Sequence, residues 1–169
     1  MDAVEVFNTL PAARLEEQLL ACCAAPAWGA AILAKRPYRE RSEIVAAADA
    51  AARSLSWDEV LVALAAHPRI GERASGESAE ASWSRQEQSA AARSADEATR
   101  AALADANRAY ESRFGRVFLI FASGRTQAEI LAAARERLAN DEETERVIVA
   151  DELRKIALLR LERVLDALA

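Results

Sequence analysis

This sequence predicts an all-α fold: a single compact multi-helix domain of about eight to nine helices spanning residues 1–169. Three observations lead there. About a quarter of the 169 residues are alanine, with only five Gly and four Pro, a balance that favours helix over sheet. Apolar residues recur at helical spacing between recognisable start and stop signals along nearly the whole chain. A single short apolar run, near 117–122, breaks the helical pattern, and no second strand-like run is present to pair with it.

The elements follow in order. Val4, Phe7 and Leu10 make a short helix ending before Pro11, and Leu15, Leu19 and Leu20 set the stripe of the next. A third short helix runs around Trp28 to Leu33, before Pro37, and a fourth, rich in alanine, lies near Arg41 to Ser54. Ser56-Trp57-Asp58-Glu59 is a capping box, stapled by Leu55 and Val60, so the fifth helix starts at a well-defined point. Its stripe continues through Leu64 towards His67, where Pro68 disfavours helical geometry and places His67 at the C-terminal edge. Residues 69–79, rich in Gly, Ser and Glu, read as a loop. Helices are then expected at about 80–92, from a capping box Ser94-Ala95-Asp96-Glu97 to about Arg113, from the box Thr126-Gln127-Ala128-Glu129 through Leu138, and over about 141–167.

Val117-Phe118-Leu119-Ile120-Phe121, bounded by Gly115 and Gly124, is β-favouring and continuous. If extended, its N–H and C=O groups must find partners inside an apolar setting. Either a ligand rich in carbonyls and amides supplies them, or the segment is a buried helical turn or a core connector with local pairing.

Bulk properties narrow the function. A net charge of −5 and a pI near 5.1 give no electrostatic case for nucleic acid or anionic membrane. Arginine outnumbers lysine twenty to two but is interleaved with Asp and Glu, as on solvated helix faces. The adjacent Cys22 and Cys23 suit small core residues in a reducing compartment rather than a disulfide or zinc site. No apolar run approaches membrane-spanning length, no signal segment opens the chain, and the Asp-Ala-Leu-Ala end is not a peroxisomal address. A cytoplasmic protein is expected. The sequence holds no P-loop, Rossmann glycine fingerprint, His-Glu-x-x-His or nucleophile elbow, so no metal site is expected.

The one histidine, His67, is the group whose ordinary pKa suits proton exchange near neutrality, although a satisfied core histidine is the alternative. Ser84, Glu87 and Gln88 fall at i, i+3 and i+4 on one helix face, where they could hold a polar ligand or simply face solvent. On the last helix Val149, Leu153, Ile156, Ala157, Leu161 and Val164 cover one arc that also contains Arg160 and, towards its other side, Arg154. An arginine so placed suits a carboxylate or carbonyl ligand, or it snorkels or pairs with a structural carboxylate. Residue chemistry alone reaches a helical domain with a small polar-ligand site.

His67-Pro68-Arg69-Ile70-Gly71 followed by Ser84-x-x-Glu87-Gln88 resembles the 2-oxo-4-hydroxy-4-carboxy-5-ureidoimidazoline (OHCU) decarboxylase family. So do Phe114-Gly115 before the apolar run and Ile156-Ala157-Leu158-Leu159-Arg160-Leu161, and the likeness extends from Phe7-Asn8 to the last helix. The resemblance implies an all-helical, often dimeric, cofactor-free carboxy-lyase of urate breakdown that yields (S)-allantoin. It implies His67 as the catalytic imidazole with Glu87 as its carboxylate partner. Ser84, Gln88 and Arg160 would bind substrate, Pro68 would line the site, and backbone groups of Leu119, Ile120, Phe121, Ala122 and Ser123 would meet the substrate amides. After the run this chain reads Ala122-Ser123-Gly124-Arg125, where the family often carries a Lys-Gly or Arg-Gly-like tail. Two other readings are a non-catalytic helical interaction module and a related lyase or hydrolase acting on another ureido compound.

Overall fold

The computed structural model describes residues 1–71, 78–94 and 96–169. Among these the secondary structure is helical, without strands: α1 (Ala3–Thr9), α2 (Ala12–Cys22), α3 (Pro26–Ala34), α4 (Arg41–Arg53), α5 (Trp57–Leu64), α6 (Ala79–Ser94), α7 (Glu97–Phe114), α8 (Gln127–Arg137) and α9 (Glu142–Leu168). No helix of the described residues is long and apolar enough to cross a membrane. The chain forms two compact units, Met1–Ala66 with Leu153–Ala169, and His67–Glu152.

In the first unit, α2, α3 and α4 pack through large buried side chains: Leu15, Leu19, Trp28, Ile32 and Ile44 are all fully buried. The Trp28 indole N–H donates to the Ala48 carbonyl at 3.0 Å, so the largest core residue carries its polar atom into α4 satisfied. Gly29 lets α2 and α3 approach closely, since a Cβ there would stand 3.2 Å from the Leu19 Cβ. Arg36 donates to the Leu10 carbonyl at 2.8 Å and the Phe7 carbonyl at 3.1 Å, satisfying groups at the end of α1. Arg41 of α4 bonds Glu162 (Nε to Oε2, 3.1 Å) and Asp166 (2.9 Å), fastening the C-terminal half of α9 to α4.

The second unit is built on the α7–α8 pair. Leu103, Ala106 and Tyr110 of α7 and Ile130, Leu131 and Ala134 of α8 enclose Ile70, Phe118, Ile120 and Ala122. α7 stops where Gly115 adopts φ +71°, a left-handed conformation that favours glycine, and its N–H closes on the Glu111 carbonyl at 2.8 Å.

The capping boxes at Ser56 and Thr126 form as the sequence predicts, with reciprocal hydrogen bonds to Glu59 and Glu129. Two expectations are corrected. Ser94 ends α6 instead of capping α7; Asp96 is the N-cap, accepting from the Thr99 N–H at 2.7 Å, while Ala95 lies outside the described residues. An aspartate two residues on offers the same oxygen-to-amide bond and wins the start. The fifth helix ends at Leu64, so His67 stands beyond it, after a turn at 65–66. The steric demand of Pro68 acts on His67, but the helix has already unwound one turn earlier. Of the expected loop 69–79, residues 72–77 lie outside the described residues, and Ala79 already begins α6.

Candidate active site

The segment after His67 is held from three directions. Arg69 makes a two-pronged ion pair with Glu111 of α7, Nε to Oε1 at 2.5 Å and Nη2 to Oε2 at 3.2 Å. The Asn107 amide of α7 donates to the Ile70 carbonyl at 2.7 Å. The Gly71 N–H donates to Gln88 Oε1 of α6 at 3.1 Å. Gly71 has φ +92°, a conformation other residues adopt at a strain cost, so the Gly of the His-Pro-Arg-Ile-Gly motif is required by backbone geometry. A short stretch of irregular chain is thereby fixed to two helices, with His67 and Pro68 at its start, both half-buried.

On α6, Ser84 and Glu87 are buried, at 5% and 7% exposure, while Gln88 is half-buried. The Ser-x-x-Glu-Gln triplet is therefore not a solvated face. A carboxylate placed at that depth is tolerated only among hydrogen-bonding or charged partners. Gln88 fastens the Gly71 N–H with its oxygen, so its amide nitrogen is what it can present to a ligand.

The apolar run 117–122 carries neither helix nor ladder pairing, and Phe118, Leu119, Ile120 and Ala122 are buried. Charged side chains take several of its backbone groups. Arg137 Nη1 donates to the Leu119 carbonyl at 2.7 Å, the Phe121 N–H donates to Glu152 Oε1 at 3.2 Å, and Arg125 Nε donates to the Phe121 carbonyl at 3.0 Å. The Ala122 carbonyl accepts from the Arg125 N–H at 3.0 Å. The segment is thus a core connector, paired locally by Arg125 and at long range by Arg137 and Glu152, and a ligand would be met by its other amides.

Arg160 belongs to the first unit, where it is 4% exposed and donates to the Ala21 carbonyl at 3.4 Å. Arg154, the other arginine on the arc, bonds Asp49 at 2.9 Å. The pairing with a structural carboxylate holds for Arg154. Burial pushes the Cys23 thiol up to about 11, against the opposing pull of a backbone hydrogen bond with Ala25 and the positive charge of Arg160.

Two buried carboxylates on α9 lie outside the residues expected from sequence. Glu145 and Glu152 flank Val149 at i, i+4 and i+7 and share its buried face, a placement that the helical wheel used for Arg160 would also have flagged. A cavity of about 410 Å³ opens beside Arg69, Ile70 and Gly71 of the His-Pro-Arg-Ile-Gly motif, lined also by Arg100, Asn107, Glu111 and Gln127, whereas His67, Pro68, Ser84, Glu87 and Gln88 are not among its lining. Among the described residues, no group of three or more His, Cys, Asp or Glu could hold a metal ion.

The chain is similar in sequence and fold to known proteins. The uric acid degradation bifunctional protein TTL of Arabidopsis thaliana is 32% identical over 151 residues, which is 88% of this chain and 46% of that protein. The chain thus spans about half the length of this curated relative. The crystal structure of OHCU decarboxylase in the presence of (S)-allantoin superposes with a TM-score of 0.76 and 29% identity, covering 89% of this chain and 98% of that one. The crystal structure of (S)-allantoin synthase shares the fold, with a TM-score of 0.71 and 21% identity over 95% of this chain and 53% of that one. The family profile of OHCU decarboxylase matches residues 8–162, nearly the whole length, and the chain belongs to that family.

Proposed function

We propose that this chain catalyses the cofactor-independent decarboxylation of 2-oxo-4-hydroxy-4-carboxy-5-ureidoimidazoline to (S)-allantoin. One observation supports this most directly. The His-Pro-Arg-Ile-Gly segment is pinned to α6 and α7 through Gln88, Asn107 and Glu111, and the two inward side chains of the Ser-x-x-Glu-Gln motif are buried.

In this reading the carbon–carbon bond to the carboxylate breaks, CO₂ leaves, and the electron pair passes into the ring. A proton is then returned to one face of the ring. His67, partnered by Glu87, manages the hydroxyl proton and the handedness of reprotonation. Arg160, Ser84, the Gln88 amide nitrogen and amides within 119–123 hold the carboxylate, ring carbonyls and ureido group, and stabilise charge as it develops. Pro68 supplies an apolar wall. Residues 1–169 act as one decarboxylase domain, in a cytoplasmic homodimer, without metal or cofactor.

The substrate decays unaided to racemic allantoin, and this background supplies the test. Substrate generated from urate by the two upstream enzymes is mixed with the protein, and circular dichroism follows the allantoin formed. Faster formation of the (S) product supports the proposal; racemic product at the unaided rate sinks it. His67→Gln is expected to lower the rate by about 10²–10⁴-fold, the usual worth of a general acid–base group. A folded His67→Gln enzyme with full activity would move the chemistry to Glu87.

A further inference from the structure

Within the second unit, two buried charged side chains grip alternate residues of the 119–123 segment. Arg137, 6% exposed on α8, donates Nη1 to the Leu119 carbonyl at 2.7 Å and Nε to Glu145 Oε1 at 2.8 Å. Glu145 is fully buried and also accepts from the Tyr110 hydroxyl at 2.7 Å and, through Oε2, from Asn140 at 3.1 Å. The Arg137 guanidinium lies over the Phe118 ring, 4.5 Å from its centroid. Two residues on, the Phe121 N–H donates to Glu152, itself 6% exposed, at 3.2 Å. The buried backbone groups of a connector need polar partners, but charged groups are an expensive way to supply them where neutral side chains would serve. Here they define where Leu119 and Phe121 point, and hence how the amides between and after them are presented.

We infer that Arg137, seated on Glu145, and Glu152 are positioning residues that hold the 119–123 backbone in the geometry that binds substrate. The inference rests on the proposed function, in which that backbone meets the substrate amides. A pre-set segment binds without the entropy loss of ordering it, so loosening either grip weakens substrate binding before it affects the chemistry at His67. The expected signature is a raised KM with kcat largely kept. Loss of global stability alone would instead lower the active fraction and leave KM in place.

The experiment compares wild type, Glu152→Leu, Glu152→Gln and Arg137→Lys in the allantoin-forming assay, with folding checked by far-UV circular dichroism. Glu152→Leu cannot accept from the Phe121 N–H, and its KM is expected to rise about tenfold. Glu152→Gln retains an acceptor oxygen and should stay within about twofold of wild type. Arg137→Lys keeps a charge beside Glu145 but loses the planar fork that reaches Leu119 and Glu145 together, and should show the same KM signature as Glu152→Leu. A folded Glu152→Leu enzyme with wild-type KM overturns the inference and leaves the proposed function standing. If Glu152→Leu does not fold, Arg137→Lys decides: an unchanged KM overturns the inference. Inactive wild-type protein refutes the proposed function and the positioning role together.

Discussion

Tyr110→Phe probes the buried network beneath the 119–123 segment with little change in shape. The tyrosine ring is fully buried and keeps its neighbours as phenylalanine, with Phe114 at 4.6 Å and Phe118 at 5.3 Å between centroids. What is lost is the hydroxyl donated to Glu145 Oε1 at 2.7 Å. Hydrogen bonds to charged acceptors contribute about 1.5–3 kcal/mol. Glu145 retains donors from Arg137 and Asn140, so its carboxylate is not stranded, and the lower end, about 1.5 kcal/mol, applies. With a urea dependence of about 2 kcal/mol per molar, the unfolding midpoint should fall by about 0.7 M. The pH dependence gives a second handle. Burial, and then the Glu145 carboxylate, push the Tyr110 hydroxyl up to about 12, whereas an unfolded tyrosine releases its proton near 10. The native state therefore holds a proton that the unfolded chain has lost, and stability falls as pH rises through that interval. The contribution is fully present below about 10 and disappears as pH approaches about 12. Urea titrations of both proteins, followed by far-UV circular dichroism, should show a gap that is steady from neutrality to about pH 9.5 and shrinks above it. Equal midpoints at neutral pH, or a gap that persists unchanged to pH 12, would refute the account of this network.

Further outcomes follow from packing and exposure. Gly29→Ala gains about 1 kcal/mol of helix propensity but sets a Cβ 3.2 Å from Leu19 Cβ, an atom fixed to the α2 backbone, and overpacking costs about 1–3 kcal/mol. A net fall in Tm of about 3 °C is expected, and a Tm at or above wild type would contradict the close approach of α2 and α3. Cys22 and Cys23 are buried and burial holds the Cys23 thiol up to about 11, so a thiol reagent at neutral pH should label both only after unfolding. Prompt labelling of either in the native protein would contradict their burial.

The relation of sequence to structure is clearest at particular elements. Reciprocal capping at Ser56 and Thr126 is local chemistry, three residues wide, and the chain folds as that chemistry dictates. The arc on α9 was legible because burial follows helical angle: Val149, Leu153, Ile156, Ala157, Leu161 and Val164 are all buried, and Arg160 with them. The α7 start was misplaced by two residues because Ser94 and Asp96 offer nearly equivalent caps, and the choice depends on where α6 ends.

By itself, then, the sequence determined the helical class, most helix ends and the residue types that carry chemistry, since these depend on spacing and local hydrogen bonding. The partners were decided by the tertiary structure. Nothing within a few residues of Leu119 announces Arg137, and nothing near Phe121 announces Glu152, 31 residues on. Nor does local sequence send Arg154 to Asp49, or join Gly71 to Gln88 and Ile70 to Asn107. Such pairs form because a buried polar group must find a complement wherever packing brings one, at separations to which local periodicity is blind.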